Sequence, residues 1–490
     1  MVNLTNPVTT PASRATSSLP VTWLGVGALA ACILFGGNTM TFSASDAIAE
    51  ALCVPSLVAA IVGIACALRA QSAPAALKVA LVFCLLAVAL PLIQLVPLPP
   101  AVWTRLPGRE SILEAYHLAN VPPPWLGLSL SPTATRQSLF SLGPGLAIFL
   151  LVVQMNWRER RMALAALLAL AFLSTIVGLM QLAQGAGGPL RFFYPQNSDI
   201  VGFFANHNHL GVLLYLSLLI SGVWGLSLLI EVAFGHQRSI SNTRVAGMAT
   251  ALFLLAAVFL LAAVLTRSRA VFLISAATGA LILALTVPFS NPGRHRMPVA
   301  IFAIVLIAGL AVGVNFTGFD IMNRLQHGLS DTIRADIAAA SRRLIGVYFP
   351  VGSGFGTFLR VYAAHETPAI AQVAAINRAH NDYLEWLVEG SIAAGLLTAL
   401  GVAWAIWMCV RSVQNNGDEA FLNGALRRAA AFGLAMILVH STVEYPLRTI
   451  ALMGVAGLFA GLCVEPFGAR AEIAPESARS AARRRRRKNR

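Results

Sequence analysis

The chain has 490 residues, of which 57% are hydrophobic and only 11% are charged. Soluble domains carry roughly a quarter charged residues, so this composition excludes an ordinary water-soluble enzyme. The formal net charge of +15 is concentrated at one end, with nine of the 35 basic residues between Arg470 and Arg490.

The first twenty residues are polar and rich in Ser, Thr and Pro. They lead into an apolar run without a convincing basic flank or small-residue cleavage site, so that run is expected to be retained rather than removed as a signal. All six cysteines (Cys32, Cys53, Cys66, Cys84, Cys409, Cys463) fall inside apolar runs. Loops without thiols argue against disulfides and thiolate metal sites.

Apolar runs approaching the ~20 residues needed to cross a bilayer recur along the whole chain. They predict an all-α, polytopic transmembrane bundle of about twelve spans, at 21–37, 51–68, 76–96, 138–154, 162–182, 210–230, 246–265, 271–287, 298–315, 390–410, 428–443 and 449–464. With the N-terminus inside, the inner connections hold Arg69 and Lys78, then Arg158, Arg160 and Arg161, then Arg238 and Arg244, then Arg294 and Arg296, then Arg411, Arg427 and Arg428. The outer connections hold about as many basic residues over much longer stretches, a bias that predicts both termini in the cytoplasm. The eleventh span is short and contains His440, but removing it would put the run Arg483 to Lys488 outside.

The expected organisation is a disordered cytoplasmic N-terminus (1–20), nine spans (21–315), a large, partly helical outer loop (316–389), three spans (390–464) and a basic cytoplasmic tail (465–490). A second long outer segment, about 97–137, is rich in proline; loops of such length are usually functional or disordered. Every Asp and Glu lies in a loop or at a span edge, which disfavours an ion-coupled pump or antiporter.

Candidate chemistry lies on the outer side. Phe203-Phe204-Ala205-Asn206-His207-Asn208-His209 enters the sixth span, and its histidines, two apart, point to different sides of a helix. A metal site is improbable there without further ligands, whereas Asn206 and Asn208 are candidate contacts to sugar or phosphate. The hairpin Thr266-Arg267-Ser268-Arg269-Ala270 places two guanidinium groups at the outer headgroup level, where forks of this kind suit phosphate oxygens. Two arginines snorkelling from helix ends would look the same.

In the long loop, Arg334 falls in the first turn of an expected amphipathic helix near 332–346, capped by Asp331 or Ser330; a solvated pair with Asp331 or Asp336 is its bland reading. The segment Gly352-Ser353-Gly354-Phe355-Gly356 follows no strand and precedes no phosphate-binding lysine, so it reads as a tight turn. A helix is expected to begin near His380. It would put His380 on one face with Tyr383, Leu384 and Leu387, pointing into the protein, and Asp382, Glu385 and Glu389 on the other. A neutral imidazole there can take a proton from an attacking hydroxyl, although a hydrogen-bonded structural histidine fits equally. His440, Glu444 and Arg448 surround the last outer turn and read as structural. The tail Arg483 to Lys488 suits anionic lipid headgroups or a topology anchor; nucleic-acid binding is not expected.

In this order, the Ser268-Arg269-Ala270 turn, Arg334, the Gly352 to Gly356 turn with Phe358, the His380-Asn381-Asp382-Tyr383-Leu384 start with Glu389-Gly390, and the stretch from His440-Ser441 to Pro446-Leu447-Arg448 together resemble the O-antigen ligase and polymerase superfamily of bacterial envelope glycosyltransferases. The resemblance is strongest over about 200–465. It implies an enzyme of the inner membrane whose site faces the periplasm and whose donor is a glycan on undecaprenyl diphosphate. It further implies metal-independent, inverting transfer without a cofactor, with His380 as general base on the acceptor hydroxyl and Arg269 and Arg334, with Arg267, holding the diphosphate. Asn381 and Tyr383 become further candidate contacts to glycan or acceptor. Many relatives carry glycine in the Ser-Arg-Ala turn, and the doubled arginine leaves Arg267 and Arg269 hard to tell apart. The expected acceptor is lipid A-core, the ligase reaction. A growing polysaccharide, the polymerase reaction, is the alternative, and a non-enzymatic polysaccharide or lipid transporter is a second.

Overall fold

The computed structural model describes residues 19–40, 43–234, 241–286, 329–366, 376–414 and 420–467, with isolated helical positions between 300 and 311. The expected span at 298–315 falls largely outside the described residues, as do the first 18 residues and the tail with Arg483 to Lys488. The side chains of Ser330 and Asp331 are also outside them.

The protein is an all-α polytopic membrane protein. Among the described residues, nine helices are long and apolar enough to cross a membrane and two shorter apolar helices accompany them. In chain order these are α1 (Leu19–Phe35), α2 (Ala44–Ala70), α3 (Ala75–Leu95), α6 (Pro132–Gln154), α7 (Trp157–Gln184), α8 (His207–Phe234), α9 (Ser241–Leu265), α10 (Arg269–Thr286), α13 (Asp382–Gln414), α14 (Phe421–His440) and α15 (Ile450–Cys463). Each coincides with an expected span, although α2, α6, α7, α9, α13 and α14 begin several residues earlier than hydropathy placed them. Polar first turns cause the discrepancy: Ser43 caps α2 through the Ser45 N–H, and Ser131 caps α6 through the Ala134 N–H. All six cysteines are free.

α8 lies within the bundle, almost wholly buried, as is the shorter α15, whereas the other long spans are a little over half buried at most. Its small residues permit close approach: any Cβ at Gly211 or Gly222 would strike Val271 or Ile282 of α10. At the end of the bundle where α7 begins, Arg160 is fully buried and donates to the Met155 carbonyl (3.0 Å) and the Val464 carbonyl (2.8 Å), just past the C-termini of α6 and α15. A cation capping orphan carbonyls of two helices is favourable through both hydrogen bonds and helix dipoles.

The opposite end carries two folded loops. The proline-rich segment is ordered: β1 (Pro97–Leu98) pairs antiparallel with β2 (Leu126–Gly127), enclosing α4 (Pro100–Trp103) and α5 (Glu110–Leu118). The second loop holds α11 (Leu329–Tyr348) and α12 (Phe358–Ala363). It has its own apolar core, built from Ile337, Leu344, Tyr348, Phe358, Val361 and Val388 and separate from that of the membrane bundle. Arg109 joins the two loops, donating to the Leu128 carbonyl (2.5 Å) and the Gly352 carbonyl (3.2 Å) with its guanidinium over the Tyr348 ring.

The glycine-rich turn fits between these parts. Gly352, Gly354 and Gly356 all have positive φ, and a Cβ on Gly352 would overlap the Glu389 carbonyl. The turn wedges against α13, whose helix is interrupted at Ser391 (φ 43°, ψ −123°).

Candidate functional site

The segment leading into α13 departs from the expected geometry. The helix starts at Asp382, and His380 precedes it in the left-handed region with φ 50°. Asn381 caps the helix, its Oδ1 accepting from the Leu384 N–H at 3.0 Å and its Nδ2 donating to the Thr442 carbonyl at 2.7 Å. Because His380 lies off the helix, the expected face assignment is reversed. Asp382, Glu385 and Glu389 are fully buried, whereas the His380 side chain is 24% exposed.

Two arginines make that burial tolerable. Arg448 reaches Glu389 Oε2 at 2.7 Å, Glu385 Oε1 at 3.4 Å and Asp382 Oδ1 at 3.9 Å. Arg378 donates to Glu385 Oε1 at 2.8 Å, while the Ser441 hydroxyl and the Leu447 N–H donate to Asp382. Burial alone would lower the Arg448 pKa, and the surrounding carboxylates hold it above its ordinary value instead. This cluster fastens the start of α13 to the turn between α14 and α15.

That turn also presents Glu444, which is 1% exposed and collects three side chains from distant parts of the chain. Oε1 accepts from Arg334 Nη2 at 2.5 Å and from Asn208 Nδ2 at 2.6 Å. Oε2 faces His380 Nδ1 at 3.3 Å. Burial would raise the Glu444 pKa, but the hydrogen bond and charge of His380, then Arg334 and His209, outweigh it and hold it down at about 2. The carboxylate is therefore an acceptor only. The proton between the two groups belongs to His380 Nδ1, which leaves Nε2 with its lone pair free.

Arg334 is thus paired with Glu444 rather than with Asp331 or Asp336, and 41% of its side chain remains exposed. One of its five N–H groups is used here, so the guanidinium can still fork onto a ligand. Asn206 and Asn208 share the start of α8: the Asn206 side chain accepts from the Asn208 N–H at 2.8 Å and is hydrogen-bonded to Tyr445. Arg267, in the left-handed region, is exposed and Arg269 is half-buried as the first residue of α10. Val271 packs on Gly211, which sets that hairpin at the same end of the bundle as Asn206 and Asn208. Tyr383 donates to the Leu438 carbonyl at 2.6 Å and so fastens α13 to α14.

Glu444 is the residue that sequence reasoning passed over as structural. Its only signal was its position, a carboxylate four residues after His440 in the last outer turn. His207 was also left without a role. Its Nδ1 lies 3.0 Å from Asp199 Oδ2. The loop carrying Asp199 is held by Arg191, which donates to the Gly185, Asp199 and Gln181 carbonyls at 2.8, 2.9 and 3.0 Å.

The arrangement can do two things chemically: orient a partly exposed imidazole base, and present guanidinium and amide donors to an anion next to it. Residues 251–399, which include both arginines of the hairpin, Arg334 and His380, match the O-antigen ligase family. No curated protein matches the chain.

Proposed function

We propose that this chain, a member of the O-antigen ligase and polymerase superfamily through residues 251–399, transfers a glycan from undecaprenyl diphosphate to a hydroxyl acceptor at the periplasmic face of the inner membrane. The family implies a membrane glycosyltransferase-like enzyme. The observation that carries the finer reading is the convergence of His380, Arg334 and Asn208 on Glu444.

In the proposed reaction, His380 Nε2 takes the proton of the acceptor hydroxyl as its oxygen attacks the anomeric carbon. Glu444 holds the tautomer that makes Nε2 basic and stabilises the imidazolium that forms. Arg334, with Arg269 or Arg267 from the hairpin, offsets charge on the diphosphate, whose negative charge grows as it leaves. The two outer loops, joined through Arg109, exclude water that would consume the donor.

Lipid A-core is the acceptor we favour, and gel analysis of envelope polysaccharides from a deletion strain tests it. Loss of attached polymer with accumulation of lipid-linked polymer supports a ligase. Single capped repeats would replace it with the polymerase reading, and an unchanged pattern would overturn both.

A further inference from the structure

A cleft lies at the end of the bundle remote from the candidate site. Cys463 and Glu465, which flank the Val464 carbonyl held by Arg160, line it together with Met408, Arg411 and Ser412 of α13 and Arg427 of α14. The start of α3 closes another side, fastened to α13 by the Trp404 indole, whose Nε1 donates to the Ala76 carbonyl at 3.1 Å. The Arg411 and Glu465 side chains are 29% and 51% exposed, so the cleft reaches the surface, whereas Arg427 is buried.

The charge of the cleft is unbalanced. Glu465 is the one carboxylate among the described residues that line it, and it accepts from Arg411 Nη2 at 2.9 Å. Arg427 brings a second guanidinium. The Arg411 guanidinium also lies over the Trp407 ring, 5.9 Å from its centroid, which holds it at the rim. Its neighbours along α13 show what that rim faces. Ile406, Trp407, Val410 and Val413 are exposed on a helix long and apolar enough to cross a membrane, whereas Met408 and Ser412 line the cleft and are buried. Arg411 therefore stands where the lipid-facing side of α13 meets the cleft, in the last turn of a span that ends at Gln414.

We propose that this cleft binds the phosphate of an anionic phospholipid between Arg411 and Arg427, with the acyl chains lying along Ile406, Val410 and Val413. Guanidinium forks suit phosphate oxygens, and basic pockets between spans at the headgroup level suit anionic lipids. A soluble phosphate would draw no benefit from the apolar side chains beside Arg411. Glu465 acts as an internal competitor, because its carboxylate already occupies part of the Arg411 fork and must share it with the phosphate. The site is separate from the one proposed for the glycan donor, which lies at the other end of the bundle. A merely structural Arg411–Glu465 pair, exposed as it is, would contribute little and would confer no preference among lipids.

The test uses the purified full-length protein in phosphatidylcholine bilayers. The probes are phosphatidylglycerol and phosphatidylethanolamine with brominated acyl chains, which quench indole fluorescence at close range. The difference between each protein and its Trp407→Phe counterpart isolates the signal of Trp407, beside Arg411. In the parent that signal should report a preference for phosphatidylglycerol of about fivefold, the usual effect of one net basic charge at an anionic lipid surface. Arg411→Gln should abolish the preference, and Glu465→Gln should increase it by removing the competing carboxylate. Arg427→Gln should also lower it; if that buried change costs the fold, the two exposed positions decide. No preference in the parent, or one unchanged in both Arg411→Gln and Glu465→Gln, would overturn the proposal. Soluble glycerol 1-phosphate, which offers the phosphate without acyl chains, should leave the preference intact. Its loss on adding glycerol 1-phosphate would assign the cleft to a soluble anion and overturn the lipid assignment.

Discussion

Glu444 Oε2 lies 3.3 Å from His380 Nδ1, joining residues 64 positions apart in the sequence. The contact selects the imidazole tautomer, and removing its charge tests that directly. Glu444→Gln should reduce transfer by about a hundredfold or more while leaving donor affinity within a fewfold, because the amide can present its N–H to the ring and favour the wrong tautomer. Single-turnover rate and donor affinity measured on the same purified variant check the separation. Equal losses in both would point to a binding role.

His380→Ala should likewise separate chemistry from binding, with transfer falling about a hundredfold or more and donor affinity retained. Arg334→Ala should weaken both, and lysine there should rescue only in part, since a point charge does not reproduce a fork. Transfer at the parental rate by correctly inserted His380→Ala protein would remove the base assignment.

The depressed pKa of Glu444 has a consequence for acid stability. A carboxylate titrating at about 2 in the folded protein and near 4.3 when unfolded stabilises the fold above the unfolded value. That contribution is lost as pH falls through the interval toward 2. Thermal unfolding in detergent between pH 5 and pH 3 should therefore show a steeper decline for the parent than for Glu444→Gln.

Arg448 holds three buried carboxylates, so its removal should damage the fold rather than the chemistry alone. Arg448→Met should destabilise by about 3–5 kcal/mol, the usual effect of leaving a buried charge without its partner. Adding Glu389→Gln should restore part of that loss by removing one of the stranded charges. Detergent thermal stability and membrane yield report both effects.

Orientation is open to thiol labelling in a cysteine-free background. Leu118→Cys lies on the loop at the site end, and Gln71→Cys follows α2 at the opposite end. A membrane-impermeant reagent applied to spheroplasts should label the first, and should label the second only after permeabilisation. The reverse pattern would place the site in the cytoplasm.

Independence from divalent metal is the remaining expectation, since guanidinium groups are proposed to offset the diphosphate charge. Transfer should persist in chelator. Full loss, restored by one added metal ion, would require a different account of the leaving group.

Hydropathy alone determined much of this protein. A span must bury about twenty apolar residues and satisfy its backbone internally, so each of the eleven apolar helices described is visible as a run in the sequence. The sequence also offered His380, Arg334 and the hairpin arginines as candidates, on patterns that a structural histidine and snorkelling arginines would equally produce. The face of the His380 segment was not legible. Helical periodicity put Asp382, Glu385 and Glu389 on the exposed side, and the structure buries all three. Periodicity records the spacing of side chains but not the partner that meets them. Here the partners are Arg448, Arg378 and Ser441, one of them on the approach to α13 and two around a turn some sixty residues later, and their charges and hydrogen bonds make a buried polar face favourable. For the same reason Glu444 looked like an ordinary loop carboxylate: its significance depends on three donors from α8, α11 and the segment before α13, which only the packing of those elements brings within hydrogen-bond distance.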